Sequence, residues 1–333
     1  MSRQRTLQGS FPLPKGFCLA AAILLVVELA VARPGWVWSW NNKTYVGVME
    51  AVERQVIAQR PTPKVLVMGS SRPRDAVAPD VVAQAMGLPA GAVMNVALAQ
   101  GTPRDALAMY TRHRGRLSGA EVLLLGLDDW QLNAGYPPLD RAMRAYGLSE
   151  RLQGHAMIHQ PKLIAGWVWK TYDIRRPLRR MLSSLHQTQN HDVKLASDGR
   201  IVRKSKGPKG PETFDVAASG RRYLKHWQLN TLAIEHVQTL KRMTEEDGVQ
   251  LLIFEAPLRD RYVDWVEQHR PQAWGEYREA LASLSIDGHL EPRASAFGLM
   301  PTDFYDYGHV TPHGAEVFSA QLGRWLLEAG RAR

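Results

Sequence analysis

Four short apolar runs, separated by segments with helical periodicity, constrain the fold of this chain more than any other feature. The runs occupy residues 64–68, 92–97, 121–127 and 249–254, and Val, Leu and Ile dominate them. Short runs of this kind, bounded by Gly or Ser, predict strands that are buried on both faces. Strands that alternate with helices pair in parallel, because each crossover helix returns the chain to the same end of the sheet. We therefore predict an α/β domain whose parallel sheet is covered by helices on both sides, a three-layer α/β/α sandwich.

Apolar residues at helical spacing, with Pro and Gly at the ends, predict helices between these strands. The predicted helices span residues 44–60, 79–87, 103–117, 222–247 and 312–330. Residues from about 150 to 220 depart from the alternation and contain the basic sequence IRRPLRR at 174–180. We predict an insertion there with a mobile basic loop, or else a solvated charge run without function. A nucleic-acid patch is the weaker alternative, because no aromatic side chains for base stacking are interleaved with the cations.

The N-terminal segment combines a basic flank with an apolar run. The first 15 residues carry three cations and no acid, residues 17–27 are all apolar, and three Trp residues follow soon after. A basic flank marks the cytoplasmic side of a membrane segment, and Trp is enriched at the head-group level. We therefore predict that residues 1–43 form a cytoplasmic tail, one transmembrane signal-anchor helix and a juxtamembrane segment. The protein would then cross the inner (cytoplasmic) membrane once, and residues 44–333 would form a domain in the periplasm.

Two features of the segment leave alternatives open. The apolar run is short for a full span, which needs about 20 residues. Ala30-Val31-Ala32 resembles a cleavage site, so a cleaved signal peptide is one alternative and a buried core helix is another. Glu28 would lie at membrane depth, where a carboxylate is costly. We expect it either to meet a partner, such as another membrane protein, or to snorkel to the interface.

Charge and cysteine content limit the chemistry of the chain. The 333 residues carry a formal net charge of +10, which favours anionic surfaces such as phospholipid head groups, phosphate polymers or nucleic acid. The predicted outward orientation opposes a nucleic-acid partner, and solubility alone would also explain the charge. The single cysteine, Cys18, excludes an internal disulfide and a cysteine-based zinc site. We predict no metal, no cofactor and no nucleic-acid partner.

The first candidate site block, Gly69-Ser70-Ser71, directly follows the first predicted strand. A serine at this turn lies at the carboxyl edge of the sheet, where ligands of such sheets bind. Gly69 permits tight backbone geometry, and the amide N–H groups after the turn can point at a developing oxyanion. Alone, the block is equally consistent with an ordinary turn.

The second block runs from Asn95 to Gly101, between a predicted strand and a predicted helix. Gly101 could offer its backbone N–H to an oxyanion, because no side chain blocks a close approach. Asn95 could donate a side-chain hydrogen bond or brace the loop. An ordinary Gly turn with a structural Asn is the alternative.

The third block, Asp306-Tyr-Gly-His309, immediately precedes the last predicted helix. A three-residue spacing on one turn brings the carboxylate beside the imidazole. The carboxylate would then fix the His tautomer, and the imidazole would act as general base near neutral pH. The alternative is a helix cap with a surface histidine, and His313 is a competing imidazole in the same region.

Together the three blocks resemble the SGNH (GDSL-like) hydrolase superfamily, over residues 64–135 and 221–330. The resemblance implies a flavodoxin-like α/β/α sandwich. It also implies that Ser71 is the nucleophile of a serine enzyme. Ser70 occupies the Asp position of the family's first motif, as in branches that carry GSS.

The same resemblance assigns roles to the other two blocks. Asp306 and His309 match the family's D-x-x-H pair, and Gly101 matches its oxyanion glycine. Where the family has G-x-N-D, with Asn as an oxyanion donor, this chain has Gly126-Leu-Asp128-Asp129. An ionised Asp accepts hydrogen bonds and cannot donate them. Asp128 is therefore expected to brace a loop or to be held protonated.

An N-terminal membrane segment followed by a GSS-type domain is similar to acyl-transfer proteins of cell-envelope polymers, such as the teichoic acid D-alanine transfer protein and the alginate O-acetylation proteins. This likeness implies a membrane-anchored esterase or O-acyltransferase. Such an enzyme transfers or hydrolyses an acyl group, in the first instance acetyl, on a cell-envelope or exported polysaccharide. The alternative, motivated by Asp128 and by the basic insertion, is a catalytically inactive binding or assembly protein that partners a membrane-bound O-acyltransferase.

Overall fold

The computed structural model describes residues 15–33, 45–58, 61–136, 147–152, 160–171, 175, 179, 193–195, 201–203, 214–284 and 289–331. The strands within these ranges are β1 Val65–Gly69, β2 Val93–Asn95, β3 Val122–Gly126, β4 Val193–Leu195, β5 Ile201–Arg203, β6 Gln250–Phe254 and β7 His289–Leu290. Five of them form one sheet in the order β2-β1-β3-β6-β7, and every neighbouring pair is parallel. Counted along this sheet, the order is 2-1-3-4-5, which is the flavodoxin-like arrangement.

The predicted α/β class with a parallel sheet is therefore confirmed. The four apolar runs became β1, β2, β3 and β6, and β7 adds a short fifth strand at the edge. Strands β4 and β5 form a separate antiparallel pair inside the predicted insertion. The sequence IRRPLRR lies almost wholly outside the described residues.

Helices cover the sheet on both sides. The bounds are α1 Lys15–Val27, α2 Tyr45–Ala51, α3 Ser71–Ala76, α4 Pro79–Ala85, α5 Pro103–Arg112, α6 Arg114–Leu117, α7 Leu148–Leu152, α8 Gln160–Val168, α9 Val216–Tyr223, α10 Thr231–Glu246, α11 Asp260–His269, α12 Pro271–Ser283 and α13 Pro312–Arg331. Single π-helical turns extend α1 over Glu28–Ala32 and α2 over Val52–Ile57. Short 3-10 helices span Asp129–Leu132, Ala294–Phe297 and Pro301–Asp303.

Successive side chains of a strand point to opposite faces of the sheet, so the strands contribute to two separate hydrophobic cores. On one face, Leu66 and Met68 pack with apolar residues of α2, α5, α10, α11 and α12. On the other face, Val65 and Val67 pack with α4, α13 and the segment around Phe304. The three layers place the carboxyl ends of the strands at one open edge.

Two of the predicted helices are each divided into two shorter helices in the structure. The predicted helix over 222–247 is two helices, because Asn230 caps the start of α10 by accepting the N–H of Ala233. His226, in the turn between them, has a positive φ of 48°. Similarly, the predicted helix over 103–117 is interrupted at His113.

The N-terminal helix α1 carries exposed side chains over its first twelve residues. Among the described residues, the longest apolar helical stretch falls short of what a bilayer-crossing helix requires. The predicted juxtamembrane Trp residues lie outside the described ranges.

Candidate active site

Three side chains form a continuous hydrogen-bonded line at the carboxyl edge of the sheet. Ser71 Oγ lies 2.8 Å from His309 Nε2, although the two residues are 238 positions apart. His309 Nδ1 lies 2.8 Å from Asp306 Oδ2. The structure thus brings together all three residues that the first and third motifs singled out.

The partners of the imidazole fix its tautomer. A carboxylate oxygen can only accept, so Nδ1 carries the proton that binds Asp306. In the neutral ring Nε2 is then an acceptor and faces the hydroxyl of Ser71. This arrangement lets the ring take a proton from Ser71 while the carboxylate stabilises the resulting cation.

Asp306 is held as an anion by the loop around it. Its Oδ1 accepts the backbone N–H groups of Gly308 (2.9 Å) and His309 (2.8 Å). Burial raises the pKa of Asp306, but the hydrogen bond and charge of His309 and the two backbone N–H groups outweigh it and lower the pKa to about 2.

This lowered pKa makes a prediction about acid stability. A carboxyl whose pKa falls from 3.8 to about 2 on folding stabilises the fold above its ordinary pKa, and that contribution is lost as the pH falls through 2. At neutral pH, Asp306→Asn is expected to lower the free energy of unfolding by about 2 kcal/mol. Urea titrations of both proteins at several pH values would show the difference shrinking between pH 4 and 2. A difference that does not change with pH would contradict the assignment.

Local backbone geometry places Ser71 at the sheet edge. Gly69 ends β1 with φ of +140°, a conformation that side chains disfavour, and a Cβ there would come within 2.6 Å of Gly126 O. Ser70 then caps α3, because its Oγ accepts the N–H of Arg72 at 3.1 Å. Ser71 is consequently the first residue of a short helix and is only partly buried.

A tight loop presents the acid–base pair. Phe304 and Val310 form an antiparallel bridge, and the N–H of Tyr305 donates to His309 O at 2.8 Å. Thr311 caps α13 by accepting the N–H of Gly314 at 3.2 Å. The loop between these anchors holds Asp306 and His309 in place.

Two residues of the second motif, Gly101 and Asn95, support the site without lining the cavity. The N–H of Gly101 donates to Leu98 O at 2.8 Å, and a Cβ at this position would lie 2.4 Å from Gly69 O. Asn95 is 1% exposed, and its side-chain amide donates to carbonyls at the end of α3, including Val77 O at 3.0 Å. In the structure Gly101 permits close backbone packing, and Asn95 braces α3, which is one of the two roles considered for it.

Ser70 and Asp128 bind each other beneath the site. The Ser70 hydroxyl donates a short hydrogen bond to Asp128 Oδ2, which also accepts the indole N–H of Trp130 at 3.0 Å. Both Ser70 and Asp128 are buried, and burial raises the pKa of the Asp128 carboxyl despite the nearby charge of Arg72. The geometry matches the expectation that Asp128 braces a loop, and it leaves neither side chain on the cavity wall.

Arg72 forms a buried network that the motifs did not indicate. Its guanidinium is 2% exposed and donates to Asp129 Oδ1 (3.0 Å) and to the Tyr307 hydroxyl oxygen (2.6 Å). Tyr262 donates to the other oxygen of Asp129 at 2.5 Å. Burial lowers the pKa of Arg72, but the opposing effect of Tyr307, Asp128 and Asp129 is larger. The pKa is therefore raised above its ordinary value, and the guanidinium stays charged.

A cavity of about 320 Å³ opens over the Ser–His–Asp line. Its lining is rich in aromatic rings and comprises Ser71, Arg72, Ala99, Gln100, Trp130, Tyr136, Tyr223, Asp306, Tyr307 and His309. The aromatic residues come from four separate segments of the chain, which is why no local pattern pointed to them. The competing imidazole, His313, binds Asp303 at 2.8 Å and is 71% exposed, outside this cavity.

Comparisons with known proteins leave the geometry as the basis for function. No protein-family model matches the chain, and no curated protein matches it. Among the described residues, no three His, Cys, Asp or Glu side chains converge in a way that could hold a metal ion. The cavity wall presents the hydroxyl of Ser71, the imidazole of His309 and the carboxylate of Asp306.

Proposed function

We propose that this protein is a membrane-anchored serine acyl-ester enzyme of the SGNH type, an esterase or O-acyltransferase acting on a polysaccharide outside the cytoplasm. One observation carries the proposal: Ser71 Oγ, the His309 ring and the Asp306 carboxylate are joined by two 2.8 Å hydrogen bonds on the wall of an open cavity. A buried or distant Ser71 would leave only an α/β protein with turn motifs.

The reaction proceeds in two halves. Ser71 Oγ bonds to the acyl carbon of the donor, and its proton passes to His309 Nε2. The tetrahedral adduct then collapses, and the leaving oxygen of the donor takes that proton. In the second half, a hydroxyl of a saccharide or of water gives its proton to His309 and takes the acyl group. The hydroxyl of Ser71 recovers its proton from His309 in the last step.

The oxyanion needs N–H donors that Asp128 and Gly101 do not offer. The N–H of Ser71 starts α3 and so has no acceptor within that helix. Gln100 lines the cavity, and its Oε1 is buried without a hydrogen-bond partner among the described residues. Its backbone φ of 58° is uncommon for a residue with a side chain, and such positions cluster at functional sites. An amide oxygen only accepts hydrogen bonds, so the N–H of Ser71 is the oxyanion donor in this proposal.

The cavity lining supports a sugar as the acyl acceptor. Tyr136 packs edge-on against Trp130 and Tyr223, with ring centroids 6.0 and 5.1 Å apart. Rings that combine an apolar face with a polar tip can contact the C–H face of a sugar and bind its hydroxyls. The acyl group, acetyl in the first instance, would come from a donor delivered by a membrane-bound O-acyltransferase. The N-terminal segment would serve as a single-pass anchor in the inner membrane, with the domain in the periplasm.

The second candidate is a catalytically inactive protein of the same fold that binds or assembles partners, and Asp128 favours it. A fluorophosphonate separates the two, because it bonds to an activated serine with loss of fluoride. We expect one adduct per chain, on the peptide that carries Ser71, and none on His309→Ala or on heat-denatured protein. Mass spectrometry of the digested protein locates the adduct. Folded wild-type protein that stays unlabelled at Ser71 would favour the binding protein.

A further inference from the structure

Exposed large apolar side chains are concentrated in two segments that contact each other. Of the twelve such side chains among the described residues, seven lie on residues 15–33 and four on residues 160–171. Met300 is the twelfth. We name residues 15–33 and 160–171 together the apolar pair. A patch this extensive is rarely left in water.

Glu28 fastens the two segments to each other. Its side chain is 4% exposed, and its carboxylate accepts the N–H groups of Lys170 (2.8 Å) and Thr171 (2.7 Å) and the hydroxyl of Thr171 (2.7 Å). Arg33 lies 3.1 Å from the same carboxylate and donates to Val168 O at 2.7 Å. The partner of this carboxylate is thus its own chain, and neither a second protein nor snorkelling is needed to explain it.

We propose that residues 160–171 are a second membrane-contacting segment, which lies in the interfacial layer of a phospholipid bilayer beside the N-terminal anchor. The nine residues of α8 extend only about 14 Å, far short of the hydrocarbon thickness, so the segment lies along the interface. Ile164, Trp167, Val168 and Trp169 supply an exposed apolar surface, and Trp is the residue type enriched at head-group depth.

Charge supports a lipid occupant for this surface. Residues 160–180 contain six Lys or Arg and one Asp. Lys162, Arg175 and Arg179 are exposed. Clustered cations beside apolar interfacial residues attract anionic head groups. The continuity of the patch with α1, which is apolar and exposed all round, points to the same bilayer.

This inference rests on the membrane placement proposed for the N-terminal segment, and it is independent of the chemistry of Ser71. Two membrane contacts instead of one fix the domain, so the cavity keeps a set height above the membrane. A donor carried in the membrane would then meet Ser71 at a defined distance.

A fluorophore attached to single cysteines in the full chain tests the inference. Three proteins are placed in vesicles of phosphatidylethanolamine and phosphatidylglycerol: the native chain labelled at Cys18, and Cys18→Ser chains that carry Val168→Cys or Met300→Cys. Met300 is the matched control, since it is a comparably exposed apolar residue outside the apolar pair. We expect a blue shift and quenching by nitroxide-labelled lipid at positions 18 and 168, and neither at 300.

The outcomes separate the inference from the anchor. Quenching at 18 with none at 168 would overturn the second contact and leave the anchor standing. No quenching at either position would overturn both. Glu28→Gln should weaken quenching at 168 and leave it unchanged at 18, because an amide cannot accept all three donors, whereas Glu121→Gln, at an exposed surface pair, should change neither. Full quenching at 168 in Glu28→Gln would overturn the role of Glu28.

Discussion

Replacing Ser71 by alanine is expected to lower the rate of acyl-ester turnover by at least about 10⁴-fold. The substitution removes the hydroxyl that His309 is positioned to deprotonate for attack on the acyl carbon. Hydrolysis of p-nitrophenyl acetate by the full-length protein, with and without a saccharide acceptor, measures the loss. Because Ser71 is partly exposed, the variant should fold as the wild type does, which circular dichroism would verify.

The imidazole gives a second arm to this experiment. His309→Ala is expected to lose activity on the same scale, and the double variant should be no worse than either single variant, because the two groups act in one step. His313→Ala is the matched control: it removes an exposed imidazole that binds Asp303 away from the cavity, so turnover should not change. Losses that multiply in the double variant, or retained turnover in Ser71→Ala, would contradict the mechanism.

The parts of this structure that the sequence could predict are those set by local pattern. Short apolar runs specify β1, β3 and β6 because the interior positions of a strand buried on both faces are filled by apolar side chains. Ser71, Asp306 and His309 could also be predicted from local pattern, since each motif adjoins the end of a strand or the start of a helix. A parallel sheet then brings such loops to one edge.

The features that could not be predicted depend on where individual groups point and on contacts between residues far apart in sequence. The N–H of Gly101 points at Leu98 O and not at the cavity. The backbone conformation of the loop decides this direction, and the residue types do not reveal it. The burial of Arg72 and Glu28 could not be predicted either, because long charged side chains are rarely buried unless paired. Their partners, Asp129 and the backbone of Thr171, are 57 and 143 positions away in sequence, beyond the reach of any local pattern.

The buried network beneath the cavity leads to the second large expected effect. Arg72→Leu is expected to lower the free energy of unfolding by about 3–5 kcal/mol, the cost of leaving a buried charge without its partner. Asp128 and Asp129 are both almost inaccessible and would face an apolar side chain in place of the guanidinium. Urea denaturation of the two proteins gives the difference from the midpoints, provided that the slopes agree.

A surface pair provides the control for the same substitution. Arg293 binds Asp264 and Glu267 with a side chain that is 35% exposed, so Arg293→Leu should change stability by no more than about 1 kcal/mol. If the large loss in Arg72→Leu comes from an unpaired anion, removing that anion should restore part of it. The double variant Arg72→Leu with Asp129→Leu is therefore expected to be more stable than Arg72→Leu alone. A double variant that is less stable would mean that Asp129 stabilises the fold through Tyr262 and not through Arg72.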